Sequence, residues 1–441
     1  MKSFSTSSFA GQHAEALQQA LSAVQKDPHA LFTDFQWFLF EVQNTVWYTA
    51  FSSRTMDRDA LGNVVAEMVA LAPQLTHGFV GAQPGQPFAK HLIDAIISIV
   101  EVDEFDGYPD KALEAGLGIF DEKELPLFRV KAYVRRGGPD AEGRASLMLV
   151  RAAHALMEGS DSALLTRSQP AGHGVQSDKG NAVAFKDRIG SRLTAWISTS
   201  IHLILGNFFS AAERDLTFGS VAIKRSRLRA LAIRLGVRQR SLFFALTTHA
   251  LNGEGPEKFM DKKVIATAYT MLDSKRNASD DDFFRVRALE AKFKYNNDFY
   301  TYVHGVDDTV GAIEKKDITK FQQIINATFT MHRWLHGVAP WLHTKRFWSY
   351  GGAIDVVLTL VPPHRLFGNL TDGLVEPVYC GSFHPGTNLI TFCPGRQYVT
   401  INCSMERRHV ANLPKIEKLL LELEAREFPP ATRKLVEADE A

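Results

Sequence analysis

The stretch that most constrains this chain is residues 144–165, RASLMLVRAAHALMEGSDSALL. From residue 145 to 150 it is almost unbroken apolar, with β-branched Val150 near its end. A run of about six to eight such residues reads as a buried strand, although periodicity alone does not separate it from a buried helix. His154 comes next, and Glu158 and Gly159 follow it. The glycine can take a positive φ and lets backbone or ligand approach. A helix-like run begins at Ser162. A histidine leaving a buried strand beside a glycine turn is placed to face a cavity, where an imidazole can act as a base near neutral pH. The same pattern suits a packed or capping histidine. Both readings stay open on this stretch alone.

Length bounds the architecture. At 441 residues the chain holds two large domains or one very large one. Its 45% hydrophobic and 22% charged content is that of a soluble globular protein. Fifty basic residues against forty-nine acidic ones give no bias toward nucleic acid. Three cysteines, Cys380, Cys393 and Cys403, are too few and too odd in number for a disulfide framework, and point to a reducing compartment. The opening MKSFSTSSFAGQ has no apolar h-region, so the expected location is cytoplasmic.

The rest of the chain alternates strand and helix signals. Residues 45–51 are β-branched and aromatic and predict a strand. Residues 57–71 predict an amphipathic helix with Leu61, Val64, Val65, Met68 and Leu71 on one face. RVKAYV after Phe128 predicts another strand, and the polar stretch 166–180 a loop. Residues 193–212 contain no Asp, Glu, Lys or Arg. Their length could span a bilayer. Yet eight of the twenty are Thr, Ser, His, Gly or Asn, which favours a buried or interfacial helix. A basic run follows, including Arg227, Arg229, Arg234 and Arg238, with Leu228, Leu231 and Leu235 as its apolar stripe. These arginines suit a solvated helix face, and they also suit anionic lipid headgroups or coenzyme A phosphates.

Farther on, VIATAYTML predicts a strand, and Asp280–Asp281–Asp282 a solvated loop rather than a metal site. Residues 318–342 are helical in pattern. His332 and His336 stand one turn apart there without an HExxH arrangement, so no metal is expected. Residues 389–393 and 398–403 alternate around Pro394–Gly395, a hairpin signal. Residues 413–424 predict a closing helix burying Ile416, Leu419, Leu420 and Leu423.

In order, these segments resemble the bacterial wax ester synthase/acyl-CoA:diacylglycerol acyltransferase family, within the coenzyme-A-dependent acyltransferase and condensation-domain superfamily. HALMEG resembles the second half of the family's His-His-x-x-x-Asp-Gly motif. Its first His is Ala153 here, its second His154, and its Asp is Glu158. The spacing Asp34, Trp37, Phe38, Glu41 resembles the family's opening, and Pro126–Leu127–Phe128 its Pro-Leu-Trp element. VVLTLVPPH, residues 356–364, resembles its Asn-Val-Pro-Gly-Pro strand and turn, with Leu360 and Pro363 at the changed positions. Arg240 and Ser241 stand where the family has an Asn-Asp pair.

The resemblance implies an α/β fold of two chloramphenicol-acetyltransferase-like domains, each a mixed sheet flanked by helices, with a tunnel between them. It places an extension at 1–30, a first domain at 31–180, a connecting helix or linker at 181–222 and a second domain at 223–441. It implies an O-acyltransferase with His154 as general base and no covalent acyl-enzyme, Glu158 and Gly159 shaping the histidine loop. The partners would be acyl-CoA and a hydroxyl acceptor such as a fatty alcohol or diacylglycerol. No cofactor is needed beyond the coenzyme A thioester as substrate, and the basic run would allow peripheral contact with a membrane or lipid droplet. Two alternatives share the fold: an acyltransferase with another acceptor or a carrier-protein donor, and a non-catalytic acyl-chain or partner-binding protein.

Overall fold

The computed structural model describes residues 45–71, 96–116, 128–154, 216–252, 263–272, 286–314, 355–361, 373–384 and 387–429, with a few isolated helical positions between them. The Asp34 spacing, the 166–180 stretch, Asp280–Asp282, His332, His336 and Pro363 lie outside the described residues, as do Glu158 and Gly159.

The first sheet is organised around β1 (Thr45–Ser52), whose eight residues TVWYTAFS are all buried. Branched and aromatic side chains fill both faces of such a strand, which puts it inside a sheet rather than at an edge. Strand β2 (Ile97–Val102), β3 (Phe128–Arg135) and β4 (Ser146–Ala153) complete one side. The sheet order is β2-β3-β4-β1-β9, where β9 is Leu374–Phe383. β2 and β3 run parallel, and β1 is antiparallel to both β4 and β9. α1 (Arg58–Leu71) and the short α2 (Asp110–Gly116) belong to this half, and α1 buries Leu61, Val64, Val65 and Met68 as predicted.

The predicted apolar run became β4 and continues three residues beyond Val150. The extension has a physical source, because pairing with β1 runs unbroken from Ser52↔Ser146 to Thr45↔Ala153.

The second sheet has the order β5-β11-β10-β8-β6-β7. Its strands are β5 (Leu216–Lys224), β6 (Val264–Leu272), β7 (Val286–Lys294), β8 (Val356–Leu360), β10 (Leu389–Pro394) and β11 (Tyr398–Glu406). The predicted hairpin around Pro394–Gly395 joins β10 to β11. The helices of this half are α3 (Arg225–Leu235), α4 (Gln239–Leu251), α5 (Phe299–Glu314), the single turn α6 (Arg407–Val410) and α7 (Pro414–Ala425). α3 ends at Gly236, whose φ of 69° lets Val237 N–H return to the Ala232 carbonyl. One core joins Leu228, Leu231 and Leu235 of α3, Phe244 of α4, Val303 of α5, Phe392 of β10 and Leu420 of α7.

The halves exchange structure. β9 follows β8 in the chain yet completes the first sheet, and β5 starts inside the stretch expected as a linker. Glu376 of β9 accepts backbone hydrogen bonds from Arg396, Gln397 and Tyr398 at 2.9, 2.7 and 3.3 Å, at the β10–β11 turn. Thr400 Oγ1 donates to the Val378 carbonyl, and Cys380 Sγ lies 2.7 Å from Cys393 Sγ. From the other direction, Ser220 and Thr217 of β5 donate to Asp110 and Glu114 of α2 at 2.7 and 2.8 Å.

Within the stretch 193–212, Leu193, Trp196 and Ile197 are helical and exposed, and the other residues of the stretch lie outside the described ones. Trp196 meets Trp334, also exposed, with ring centroids 6.0 Å apart. Among the described residues no helix is long and apolar enough to cross a membrane.

Candidate active site

His154 is the first residue beyond β4, as the sequence predicts. All eight residues of β4 are buried and His154 itself is half-buried, so the chain delivers the imidazole from the core to a partly open position. A second histidine, His384, is the first residue beyond β9. Register relates the two. Thr45 of β1 pairs with Ala153 on one side and Phe383 on the other, so both histidines stand one residue past the same rung.

Side chains alternate along strands. Ala153, Thr45 and Phe383 therefore share one face, and Cys380 lies on the other, where it reaches Cys393 of β10 in the second sheet.

The rung two residues back explains how the end of β9 is held. Trp47 pairs with Arg151 and with Gly381. A Cβ at Gly381 would lie 2.6 Å from Trp47 Cζ2, so the glycine makes room for the indole. Trp47 then meets Phe218 of β5 edge-to-face with centroids 6.4 Å apart, and Phe218 packs on Phe383 at 5.6 Å. Beyond the strand, Thr387 N–H donates to the His384 carbonyl at 3.2 Å, fixing the backbone at that residue.

His384 is 7% exposed. Burial, and secondarily the charge of His154 nearby, pull its pKa down to about 4. His384 is therefore a neutral ring at neutral pH, with one N–H and one lone pair.

The basic run makes a different set of contacts. Arg227 forms a bidentate pair with Glu424 of α7 at 2.8 and 2.6 Å. Arg234 donates to the carbonyls of Leu423 and Glu424 at the end of α7. Arg238 grips Asp307 and Glu314 of α5 at 2.8 and 3.1 Å, and Arg240 pairs with Glu314 at 2.8 Å. Arg229 is exposed. Arg227, Arg234 and Glu424 line a groove of about 350 Å³ with Ser226, Ala230 and Leu231, which contains neither histidine. Among the described residues no group of three or more His, Cys, Asp or Glu side chains converges.

No protein-family model matches the chain, and no curated protein matches it. Solved structures do. The trichothecene 15-O-acetyltransferase of Fusarium sporotrichioides superposes with a TM-score of 0.51 at 11% identity, over 93% of this chain and 94% of that one. The first condensation domain of the calcium-dependent antibiotic synthetase, with a substrate analogue, gives 0.50 at 10% identity over 92% and 98%. This chain shares the fold of these two proteins. A wax ester synthase/diacylglycerol acyltransferase from Marinobacter aquaeolei VT8 matches at 14% identity over 87% and 93%, with a TM-score of 0.46. At these identities the likeness establishes the two-domain fold of mixed sheets flanked by helices.

Sequence reasoning missed His384. The signal available to it was weak: a histidine before Pro385–Gly386, a turn dipeptide, at the end of a strand-like stretch.

Proposed function

We propose that this protein is an O-acyltransferase that moves a fatty acyl group from acyl-CoA to a hydroxyl acceptor, a fatty alcohol or a diacylglycerol, with His154 as general base. The observation that carries the proposal is the place of His154, at the end of a fully buried strand and level with the end of β9, where the two sheets meet. The fold and the HALMEG resemblance support it.

The chemistry needs few parts. The acceptor O–H donates to a ring nitrogen of His154 as its oxygen attacks the thioester carbonyl carbon. A C–O bond forms, the tetrahedral centre collapses and the C–S bond breaks. The departing sulfur takes the proton back from His154, leaving an ester and free coenzyme A. A thiol with a pKa of about 8.5 is a good leaving group, so no acyl-enzyme is required.

The test is release of free thiol from palmitoyl-CoA, with hexadecanol and dipalmitoylglycerol as acceptors. His154→Ala and His154→Gln should lower the rate by ~10²–10⁴-fold, the usual range for a general base, while the melting temperature stays close to wild type. Full activity in either variant would move the chemistry elsewhere. Tight palmitoyl-CoA binding with no thiol release would favour the non-catalytic alternative. That alternative has one observation on its side: Arg240, at the position matching the family's Asn-Asp pair, is held by Glu314.

A further inference from the structure

We propose that Cys380 and Cys393 form a modification site, a thiol pair that a hydroperoxide converts to a disulfide stapling the first sheet to the second. The site does not depend on the acyl-transfer reading.

Strand register brings the two sulfurs together. In the β10–β11 hairpin, Ile390 pairs with Cys403, Phe392 with Ile401 and Cys393 with Thr400. Side chains alternate along strands. Ile390, Phe392, Ile401 and Cys403 therefore share one face, and all four lie in the second core. Cys393 and Thr400 face the other way, and β9 of the first sheet runs along that side. Its Val378 carbonyl accepts from Thr400 Oγ1 at 2.8 Å. Two residues later Cys380 meets Cys393, with the sulfurs 2.7 Å apart. Glu376 fixes the same strand from the turn side, through its bonds to the backbone of Arg396, Gln397 and Tyr398. Cys403 does not compete for either partner. It points into the opposite core, and its rung lies three residues from Cys393, ~10 Å along the strand.

Both residues are thiols in this structure. Non-bonded carbon atoms rest about 3.5–4.0 Å apart, and sulfur is larger than carbon. At 2.7 Å the two sulfurs are already inside that range, and a bond asks them to close to about 2.05 Å. Hydrogen peroxide balances the step. One sulfur, as thiolate, attacks a peroxide oxygen, and the O–O bond breaks to leave a sulfenic acid and water. The second sulfur then attacks the sulfenic sulfur. The S–S bond forms, the S–O bond breaks, and hydroxide leaves with the second thiol's proton as water. The two thiols lose two electrons and the peroxide gains them.

Enclosure sets the pace. Both sulfurs are buried, and burial pushes the Cys380 thiol up, so the attacking thiolate is scarce and the bond forms slowly. The same enclosure keeps a reductant from the finished bond. The pair is a slow latch rather than a rapid sensor.

The experiment uses the full-length protein, reduced with dithiothreitol, desalted and incubated with hydrogen peroxide. Free thiols counted in urea should fall from three to one, with the intact mass lower by two hydrogens. Digestion without reductant should yield a peptide linking Cys380 to Cys393. Cys403→Ala should lose the same pair of thiols, whereas Cys393→Ala should form no internal disulfide. The bonded form should melt at least ~2 °C above the reduced form, because the cross-link constrains the unfolded chain. That difference should vanish in Cys393→Ala. Three thiols remaining after peroxide, a pairing that includes Cys403, or added oxygen without a cross-link would overturn the site. A confirmed bond with an unchanged melting temperature would overturn its role as a staple. The wild-type digest decides the pairing even if a variant fails to fold.

Discussion

His154 and His384 share a side-chain type but not a setting, and the difference is thermodynamic as well as chemical. His384 has a folded pKa of about 4 against about 6.5 for a free histidine. Between these values the unfolded chain binds more protons than the folded one, so lowering the pH drives unfolding. The stability held above pH ~6.5 is lost progressively toward pH ~4, and His384 contributes roughly 3 kcal/mol to that loss. Thermal melts of wild type should fall over this window, and His384→Gln should flatten the slope. An unchanged slope would mean that the ring is more solvated than its 7% exposure indicates. The two residues also differ in how visible they are in the sequence. His154 stands at the end of an apolar run beside a glycine turn, a local pattern a reader can weigh. His384 acquires its place through the pairing of Thr45 with Phe383, residues far apart in the chain. No local pattern encodes that distance. Gly381 is similar: its purpose is apparent only once Trp47 lies across it.

The helical elements show the same division between local and distant information. Leucine spacing alone predicts the buried stripe of α3, and Leu228, Leu231 and Leu235 are buried in the second core. The arginines beside that stripe read in the sequence as a solvated face that could also meet lipid or phosphate, because their partners are 69 residues away for Arg238 and 197 for Arg227. Arg238 is the instructive case. It precedes α4 and clamps α5 through Asp307, whose side chain is 4% exposed. Burial pushes that carboxyl up, and Arg238 outweighs it, leaving Asp307 below the usual carboxylate range. Arg238→Ala would strand a buried charge, which costs about 3 kcal/mol or more. Urea unfolding should show that loss, and pairing the change with Asp307→Leu should restore much of it. Arg229→Ala, on the exposed face, should stay within about 0.5 kcal/mol of wild type. If Arg238→Ala were as mild as Arg229→Ala, the clamp would be a surface contact of little consequence, and its charge would be available to a ligand.

At the scale of the molecule, the exchange of β9 decides what can exist alone. The sequence reading places a first domain at residues 31–180, a connecting helix or linker at 181–222 and a second domain at 223–441. In the structure the last strand of the first sheet comes from the second half, held there by Glu376 at the β10–β11 turn and by Thr400. Removing β9 would expose one whole edge of β1, a fully buried strand whose backbone groups on that side would lose their partners. Open edges of that kind pair with other chains. It would also strip Tyr379 and Phe383 from the cluster around Trp47. A fragment ending at residue 215 should therefore aggregate or bind the dye ANS rather than unfold cooperatively. Co-expression with residues 216–441 should return a soluble complex. A cooperative urea transition for the first fragment alone would show that β9 decorates a finished sheet instead of completing it. The consequence reaches the proposed site, because His154 follows β4, whose neighbour β1 pairs with β9 on its other edge. Thiol release should therefore appear only in the reassembled complex, and a reassembled complex carrying His154→Ala should be as impaired as the intact chain with that change.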